Sequence, residues 1–338
     1  GTSNVRFGVD AGNSIVSGGQ YNTLVGDNAG TAITTGDSNT ALGFAALDAA
    51  ILPSSNTSIG SASLSVNVHS SQNTAVGSNS LESHNLGSAG NGLNTAVGYN
   101  SGLALTTGIE NTLVGALAGD ALEDADGNVT LGTYALSTDT LGSRAVAIGH
   151  GALLTQNFTT ATNNYNVGVG HSAGRAITTG TLNTFVGGLS GDAFNTGQEN
   201  TGIGYQALTT DTKGKFSVAV GNNALATQNF TTATSVFNTA VGYDAGLHVT
   251  TGIQNTLVGA LAGDALQDAD NNVAIGKSAM TTNVLGSDSV AVGTFALNSM
   301  NPATAVSMHN VAVGHNSGAA VTTGTENTLV GSLAGDAI

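Results

Sequence analysis

The stretch NTLVGALAGDAL occupies residues 111–122 and returns unchanged at residues 255–266. A close variant, NTLVGSLAGDAI, occupies residues 327–338, and looser copies stand at 39–50 and 183–194. Neighbouring copies lie 72 residues apart. Such a repeat has to be understood before any single element, because the repeating unit defines the architecture.

A finer period appears when the copies are aligned on the Gly that closes the NTxVG motif. Nineteen such glycines, from Gly8 to Gly331, are separated by one step of 18 and then by steps of 17, 17, 17 and 21 residues that recur to the end. We therefore expect one continuous domain over residues 1–338 that is built from four-coil super-repeats. Their approximate ranges are 27–98, 99–170, 171–242 and 243–314, with partial repeats at 1–26 and 315–338.

The residues before each Gly predict a short strand. Val, Leu or Ile stands one position before the Gly except at Phe7, and Thr or Val stands three before it. This alternation of β-branched residues is typical of a strand with one buried face. Four positions before the Gly, Asn occupies sixteen of nineteen units. It suits a turn and could stack on the Asn of the next coil.

The unit length selects the fold class. Seventeen residues are too few for a propeller blade or a helical hairpin, but they suit one coil of a solenoid with short strands and turns. We therefore predict an all-β parallel β-solenoid with coils of about 17 residues. Because one such coil buries few aliphatic side chains, we also predict a parallel, side-by-side homotrimer. The Ala or Ser that always follows three positions after the Gly is its expected interface, and a lone solenoid is the alternative.

Composition and charge exclude several functions. Only 8% of the residues are charged, the net charge is −15, and six Lys and Arg are spread along the chain. Without a basic patch, binding to nucleic acid is not expected. No apolar run is long enough to cross a bilayer, so no membrane insertion is expected either. The chain has no Cys, which excludes disulfides and thiol chemistry.

Several motifs resemble a known family. SVAVG at residues 217–221 and 289–293, NVAIG at 272–276 and AVAIG at 145–149 are similar to the head repeats of trimeric autotransporter adhesins. NTAVGYNSG at 94–102 is also similar to repeats of phage tail-fibre and other surface-fibre proteins. The resemblance implies a left-handed parallel β-roll, a trimer, and a place outside the cell, on a cell surface or on a virion. The head repeat of that family is shorter than 17 residues, which predicts a wider turn here.

The fourth coil of each super-repeat carries four additional residues, which form predicted loops. TQNFTTATNNYN spans residues 155–166 and TQNFTTATSVFN spans 227–238, with related loops at 83–94 and 299–310. Loops on a rigid scaffold often carry binding sites, and cell-surface glycans or matrix proteins are the partners we consider. A purely structural bulge is the favoured interpretation. The candidate contact residues are Asn157, Phe158, Thr159, Asn229, Phe230 and Thr231. Asn157 and Asn229 are also candidate glycosylation sites, because each begins an Asn-Phe-Thr sequon.

Two acidic turns resemble part of a calcium-binding loop. Asp124, Asp126 and Asn128 in one turn, and Asp268, Asp270 and Asn272 in the other, have the alternate spacing of Ca²⁺ ligands. The Glu that completes such a loop is missing, so a solvated acidic turn is the favoured interpretation, and we expect no cofactor.

Repetition of the carboxylates argues against catalysis. Asp48, Asp120, Asp192, Asp264 and Asp336 all stand five residues after the Gly. Four coils separate successive members, about 19 Å in a solenoid, which is too far for a paired-carboxylate mechanism. His150, His171 and His315, directly after the Gly, are predicted to be exposed. We therefore expect no enzyme, but a structural extracellular fibre segment, a shaft or an adhesive head. A subunit of a self-polymerising extracellular filament is the alternative.

Overall fold

The computed structural model describes residues 3–337, which form two compact units that divide between Asn166 and Val167. Each unit is a parallel β-solenoid, and the described residues contain no helix. The predicted all-β solenoid with coils of about 17 residues is therefore confirmed. The left-handedness, the trimer and the single domain over 1–338 stay predictions.

In the first unit, each coil contributes one three-residue strand to a parallel ladder. These strands are Val5–Phe7, Thr23–Val25, Thr40–Leu42, Thr57–Ile59, Thr74–Val76, Thr95–Val97, Thr112–Val114, Val129–Leu131 and Val146–Ile148. Two pairs of two-residue strands accompany the longer coils, Ser70–Ser71 with Gly90–Asn91 and Gly142–Ser143 with Thr162–Asn163. Equivalent residues pair without a shift, as Thr112 with Val129 and Val129 with Val146 show.

The second unit repeats this arrangement. Its ladder strands are Val167–Val169, Thr184–Val186, Thr201–Ile203, Val218–Val220, Thr239–Val241, Thr256–Val258, Val273–Ile275, Val290–Val292, Val311–Val313 and Thr328–Val330. Its short pairs are Gly214–Lys215 with Thr234–Ser235 and Gly286–Ser287 with Val306–Ser307. The register stays constant because equivalent positions recur in each coil, so every strand pairs with the same residue types one coil away.

The middle residue of each strand points into the core. It is fully buried in nearly every coil, as in Leu113 and Ala147, and only Arg6 and Leu329 at the ladder ends are not buried. The residues on both sides of it, the predicted alternating columns, point outward, and none of them is buried. The strand therefore has one buried face, as the alternation predicts, and the Val and Thr columns form the other face.

The Ala or Ser column lies inside each unit. Every described member is buried except Ala334, which is half-buried. The prediction that this column is the surface of contact between chains is therefore wrong. Small residues fit there because the strand of the next coil lies close to them, as the 2.8 Å hydrogen bond from Ser101 Oγ to the Leu113 carbonyl oxygen shows.

The core keeps its volume by exchanging large and small residues within a coil. Gly119, four residues after its motif Gly, leaves room for Leu113 and Leu122, since a Cβ on it would lie 3.0 Å from Leu113 Cδ2 and 2.8 Å from Leu122 Cδ1. One coil later, Leu136 occupies the equivalent position with the same left-handed backbone, φ 52° against 56°. Space rather than backbone conformation therefore decides between Gly and Leu at this position.

A ladder of buried Asn side chains runs along the turn before the strands. Asn39 donates from its backbone N and from Nδ2 to Oδ1 of Asn22, at 2.9 and 3.0 Å. Its own Oδ1 accepts from the backbone N of Asn56 at 3.0 Å, and Nδ2 also donates to the Pro53 carbonyl oxygen at 2.9 Å. The predicted stacking of Asn on Asn is confirmed, and it satisfies backbone groups that would otherwise be buried without partners.

Candidate functional site

The outward strand face is the most continuous surface feature of each unit. Val, Leu or Ile follows the buried middle residue in every coil after the first, and Thr or Val precedes it, with no charged side chain in either column. Several of the aliphatic members are more than a third exposed, such as Leu131 at 49% and Ile203 at 40%. Uncharged, in-register aliphatic columns of this kind are unusual at a solvated surface, which makes this face a candidate contact surface.

The two long loops with the sequence TQNFTTAT are held by a buried carboxylate of the preceding coil. Asp139 Oδ1 accepts from the backbone N of Phe158 at 3.0 Å and from Gly142 N at 3.1 Å. In the second unit, Asp211 Oδ1 accepts from Phe230 N at 3.1 Å. The loop entry is therefore anchored from inside the coil, which makes the exposed part of each loop a defined surface.

The predicted contact residues of these loops divide into two kinds. Phe158 and Phe230 are only 6% and 7% exposed, so their rings belong to the core. The side chains of Asn157, Thr159, Asn229 and Thr231 are exposed. Each Asn also accepts a hydrogen bond, because Thr140 Oγ1 donates to Asn157 Oδ1 at 3.1 Å and Thr212 Oγ1 donates to Asn229 Oδ1 at 3.2 Å. The sugar-accepting Asn of each sequon is thus at the surface.

A buried polar pair lies beneath each of the anchored loops. Gln156 Nε2 donates to Asp139 Oδ2 at 2.6 Å, and Asn166 Nδ2 donates to Gln156 Oε1 at 2.9 Å. In the second unit, Gln228 makes the same contacts to Asp211 and Asn238, also at 2.6 and 2.9 Å. Burial raises the pKa of both aspartates, although donated hydrogen bonds oppose the shift.

The other super-repeats place different residues at these two positions. Asn67 and His84 occupy them in the first unit, and Asn283 and Met300 in the second. Both Asn side chains bond within their own coil: Asn283 Oδ1 accepts from Gly286 N at 2.8 Å, and Nδ2 donates to Gly286 O at 2.7 Å. These pairs were not predicted from the sequence. The available signal was the joint change of two residues seventeen apart between super-repeats.

The candidate calcium ligands of the first acidic turn form hydrogen bonds between coils. Asp124 Oδ1 accepts from Thr107 Oγ1 at 2.6 Å, and Asp126 Oδ1 accepts from Ile109 N at 2.8 Å. Asn128 is buried in the Asn ladder, where its Oδ1 accepts from Ala145 N at 2.8 Å. These carboxylates join one coil to the previous one.

The second acidic turn repeats this arrangement. Asp268 Oδ1 accepts from Thr251 Oγ1 at 2.8 Å, Asp270 Oδ1 accepts from Ile253 N at 2.7 Å, and Asn272 is buried in the ladder. Among residues 3–337, no group of three His, Cys, Asp or Glu is placed to hold a metal ion.

The repeated Asp column also forms contacts between coils. Thr209 Oγ1 donates to Asp192 Oδ1, and Thr281 Oγ1 donates to Asp264 Oδ1. Burial raises the pKa of Asp48 and Asp120, while Asp336 is exposed. The partners of Asp192 and Asp264 are hydroxyls one coil further on, which is a structural arrangement rather than a paired-carboxylate one.

The histidines that follow the motif Gly lie at the surface. His150, His171 and His315 are all exposed, as predicted. The ring of His150 packs edge-on against Tyr134 with 6.0 Å between ring centroids. These side chains therefore contribute to the outer surface of the turn.

Comparisons with models of known protein families and with curated protein sequences give no match. Within residues 3–337 there is also no helix of sufficient length and apolar character to span a lipid bilayer. The geometry of the described residues is therefore the basis on which a function can be proposed.

Proposed function

We propose that this chain is a structural, non-enzymatic segment of a surface fibre, which assembles side by side with further copies of itself through the outward strand face. The observation that carries the proposal is the pair of uncharged columns on that face. A solvated solenoid gains nothing from exposing an aliphatic residue in each coil, whereas burying that residue against another copy stabilises both chains by the hydrophobic effect.

A second copy suits this surface because of its regularity. Parallel copies present the same coil repeat to each other, so Val and Thr columns can meet their equivalents over many coils without bringing charges together. Each contact is small, but the sum over nine or ten coils in a unit is large. A parallel homotrimer of left-handed rolls is the assembly that the resemblance to adhesin head repeats favours.

Location and adhesion form the second part of the proposal. The low charge and the six basic residues in 338 suit an extracellular, cell-surface or virion-surface location, since few sites are open to trypsin-like proteases. The two anchored loops present the same exposed Thr-Thr-Ala segment at residues 159–161 and 231–233. Recurring rigid loops suit multivalent binding to glycans or matrix proteins, in which weak single contacts add up.

Substitutions on the outward face test the proposal. We expect Val241→Asp combined with Ile275→Asp to dissociate the assembly, because both side chains lie in the aliphatic column and are more than a third exposed. Thr231→Asp combined with Thr232→Asp is the matched control, on an exposed loop of the same unit. Sedimentation velocity measures both. Equal masses for the two variants and the native chain would contradict a contact through this face, and growth to large polymers would favour the filament alternative.

A further inference from the structure

A buried imidazole distinguishes one coil of the first unit from all its counterparts. His84 is fully buried, and its Nε2 lies 2.9 Å from Ser70 Oγ and 3.4 Å from Asn94 Nδ2. The equivalent positions of the other super-repeats hold Gln156, Gln228 and Met300, none of which titrates.

The direct hydrogen-bond partners of the ring are uncharged and favour its neutral form. Asn94 is fixed in orientation, because its Nδ2 donates to Gly108 O at 3.0 Å and its Oδ1 accepts from Asn111 N at 3.0 Å. Its remaining Nδ2 hydrogen lies between Asn73 Oδ1 at 3.3 Å and His84 Nε2 at 3.4 Å, so this amide offers Nε2 a donor and no acceptor. Nδ1 is buried and makes no hydrogen bond of ordinary geometry, although the Thr106 backbone favours a proton on the ring. A proton on Nε2 has only the Ser70 hydroxyl as an acceptor.

No charged group stands ready to stabilise an imidazolium. The coil before, residues 61–77, has His69 as its one ionisable side chain, and this is half-exposed. The coil after, residues 99–115, has Tyr99 and Glu110, which are both exposed. On its own coil, Glu82 is half-exposed, while the direct partners of the ring are Ser70 and Asn94. A buried positive charge here would lack compensation.

We propose that His84 is an acid-sensitive switch, and that its protonation opens the coil at residues 78–98 while the corresponding coil of the second unit stays closed. The effect is local, because only the coil that buries the His84 ring has to open for the ring to bind a proton. It does not depend on the function proposed above, since it follows from the core of a single chain.

The direction of the pH effect follows from the burial. Burial lowers the pKa of His84 from 6.5 to about 4, which the Thr106 backbone opposes in part. In the opened coil the ring regains its ordinary pKa and binds a proton that the closed coil excludes. The closed coil therefore keeps its stability above pH 6.5 and loses it as the pH falls from 6.5 towards 4. Between pH 7 and 5 these two pKa values predict about 20-fold more opening.

Hydrogen exchange followed by mass spectrometry tests the switch on the intact chain. After correction for intrinsic exchange rates, we expect the protection of residues 78–98 to fall about 20-fold between pH 7 and 5, and that of residues 294–314, the equivalent coil with Met300 at the position of His84, to change little. His84→Met should abolish the difference, because Met300 is the native residue at the equivalent position and, like His84, follows an Asn seventeen residues earlier. His315→Gln, at an exposed position, should leave it intact.

Two results would contradict the proposed switch at His84. One is an equal loss of protection in both coils of the native chain, a comparison that needs no variant to fold. The other is an ordinary pKa for the His84 ring in an NMR titration, because a ring that protonates freely in the closed coil has nothing to gain from opening it.

Discussion

Gln156 Nε2 donates to Asp139 Oδ2 at 2.6 Å, across two successive coils and between two fully buried side chains. The amide of Gln156 cannot turn around, because its Oε1 accepts from Asn166 Nδ2. Its Nε2 donor therefore always faces the preceding coil, where a carboxylate can accept the hydrogen bond and the amide nitrogen of an Asn cannot. The identity of one residue thus sets the identity of its partner one coil away.

This dependence predicts a non-additive pair of substitutions. Gln156→Met removes a hydrogen-bond donor from a buried carboxylate and should lower the free energy of unfolding by about 3 kcal/mol. Asp139→Asn added to Gln156→Met recreates the native Asn283–Met300 pair and should recover most of that loss. Denaturant unfolding of both variants gives the comparison, and a double variant no more stable than the single one would refute the pairing.

The same pair predicts a pH dependence of stability with a definite sign. Burial raises the pKa of Asp139 above its ordinary 3.8, so the folded chain holds this proton more tightly than the unfolded chain. The resulting stabilisation is present at low pH and is lost as the pH rises from 3.8 through the folded-state pKa.

The doubly substituted chain lacks this carboxylate and should therefore gain stability relative to the native chain as the pH rises over that window. Unfolding curves between pH 3.5 and 7, both recorded in a His84→Met background, isolate the effect. A constant difference between the two chains would contradict a buried, titrating Asp139.

Substitution of two adjacent glycines is predicted to have very different effects on the free energy of unfolding. Gly187 has a φ of 133°, and a Cβ on it would lie 2.4 Å from the Gly204 carbonyl oxygen. Gly188 has no such restriction, and its Cβ would meet only the Tyr205 ring at 3.6 Å. We expect Gly187→Ala to cost more than about 3 kcal/mol of unfolding free energy and Gly188→Ala less than about 1 kcal/mol. Thermal unfolding of both variants checks this, and similar transitions would show that the Gly column is not required by close approach.

The Asn ladder can be tested at one of its interior members. Asn39→Ala removes the donors to Asn22 Oδ1 and the Pro53 carbonyl and leaves the backbone N of Asn56 without its acceptor. We expect a loss of about 2–4 kcal/mol, since buried groups are left without partners. Ser38→Ala, on the exposed neighbouring residue, should change the unfolding free energy by less than about 0.5 kcal/mol. Comparable losses for the two would mean that the ladder does not stabilise the coil.

The coil period could be predicted from sequence because the tightest backbone contact recurs in every coil. Where Gly187 approaches Gly204 there is no room for any side chain, so the motif Gly is invariant and marks each coil. Which face of the strand is buried could not be predicted in the same way. Val and Thr suit either face of a strand, whereas the buried middle residue varies between Phe185 and Gly202 in successive coils and looks unconstrained.

The candidate site was predicted only where its residues reach the surface. The exposed Asn157 and Thr159 belong to an insertion that is visible in the coil lengths. Phe158 was grouped with them because nothing in the local sequence distinguishes a loop aromatic from a core one. Asp139 was missed because its anchoring role depends on Phe158 N, which is nineteen residues away along the chain but one coil away in space.

The mass of the native chain in solution tests the central claim most directly. Size-exclusion chromatography with light scattering should give three times the 33.0 kDa chain mass, with the outward Val and Thr columns buried between copies. A mass of 33.0 kDa at micromolar concentrations would contradict the account, because the aliphatic column would then be an open surface and the proposed side-by-side fibre would have no contact to hold it together.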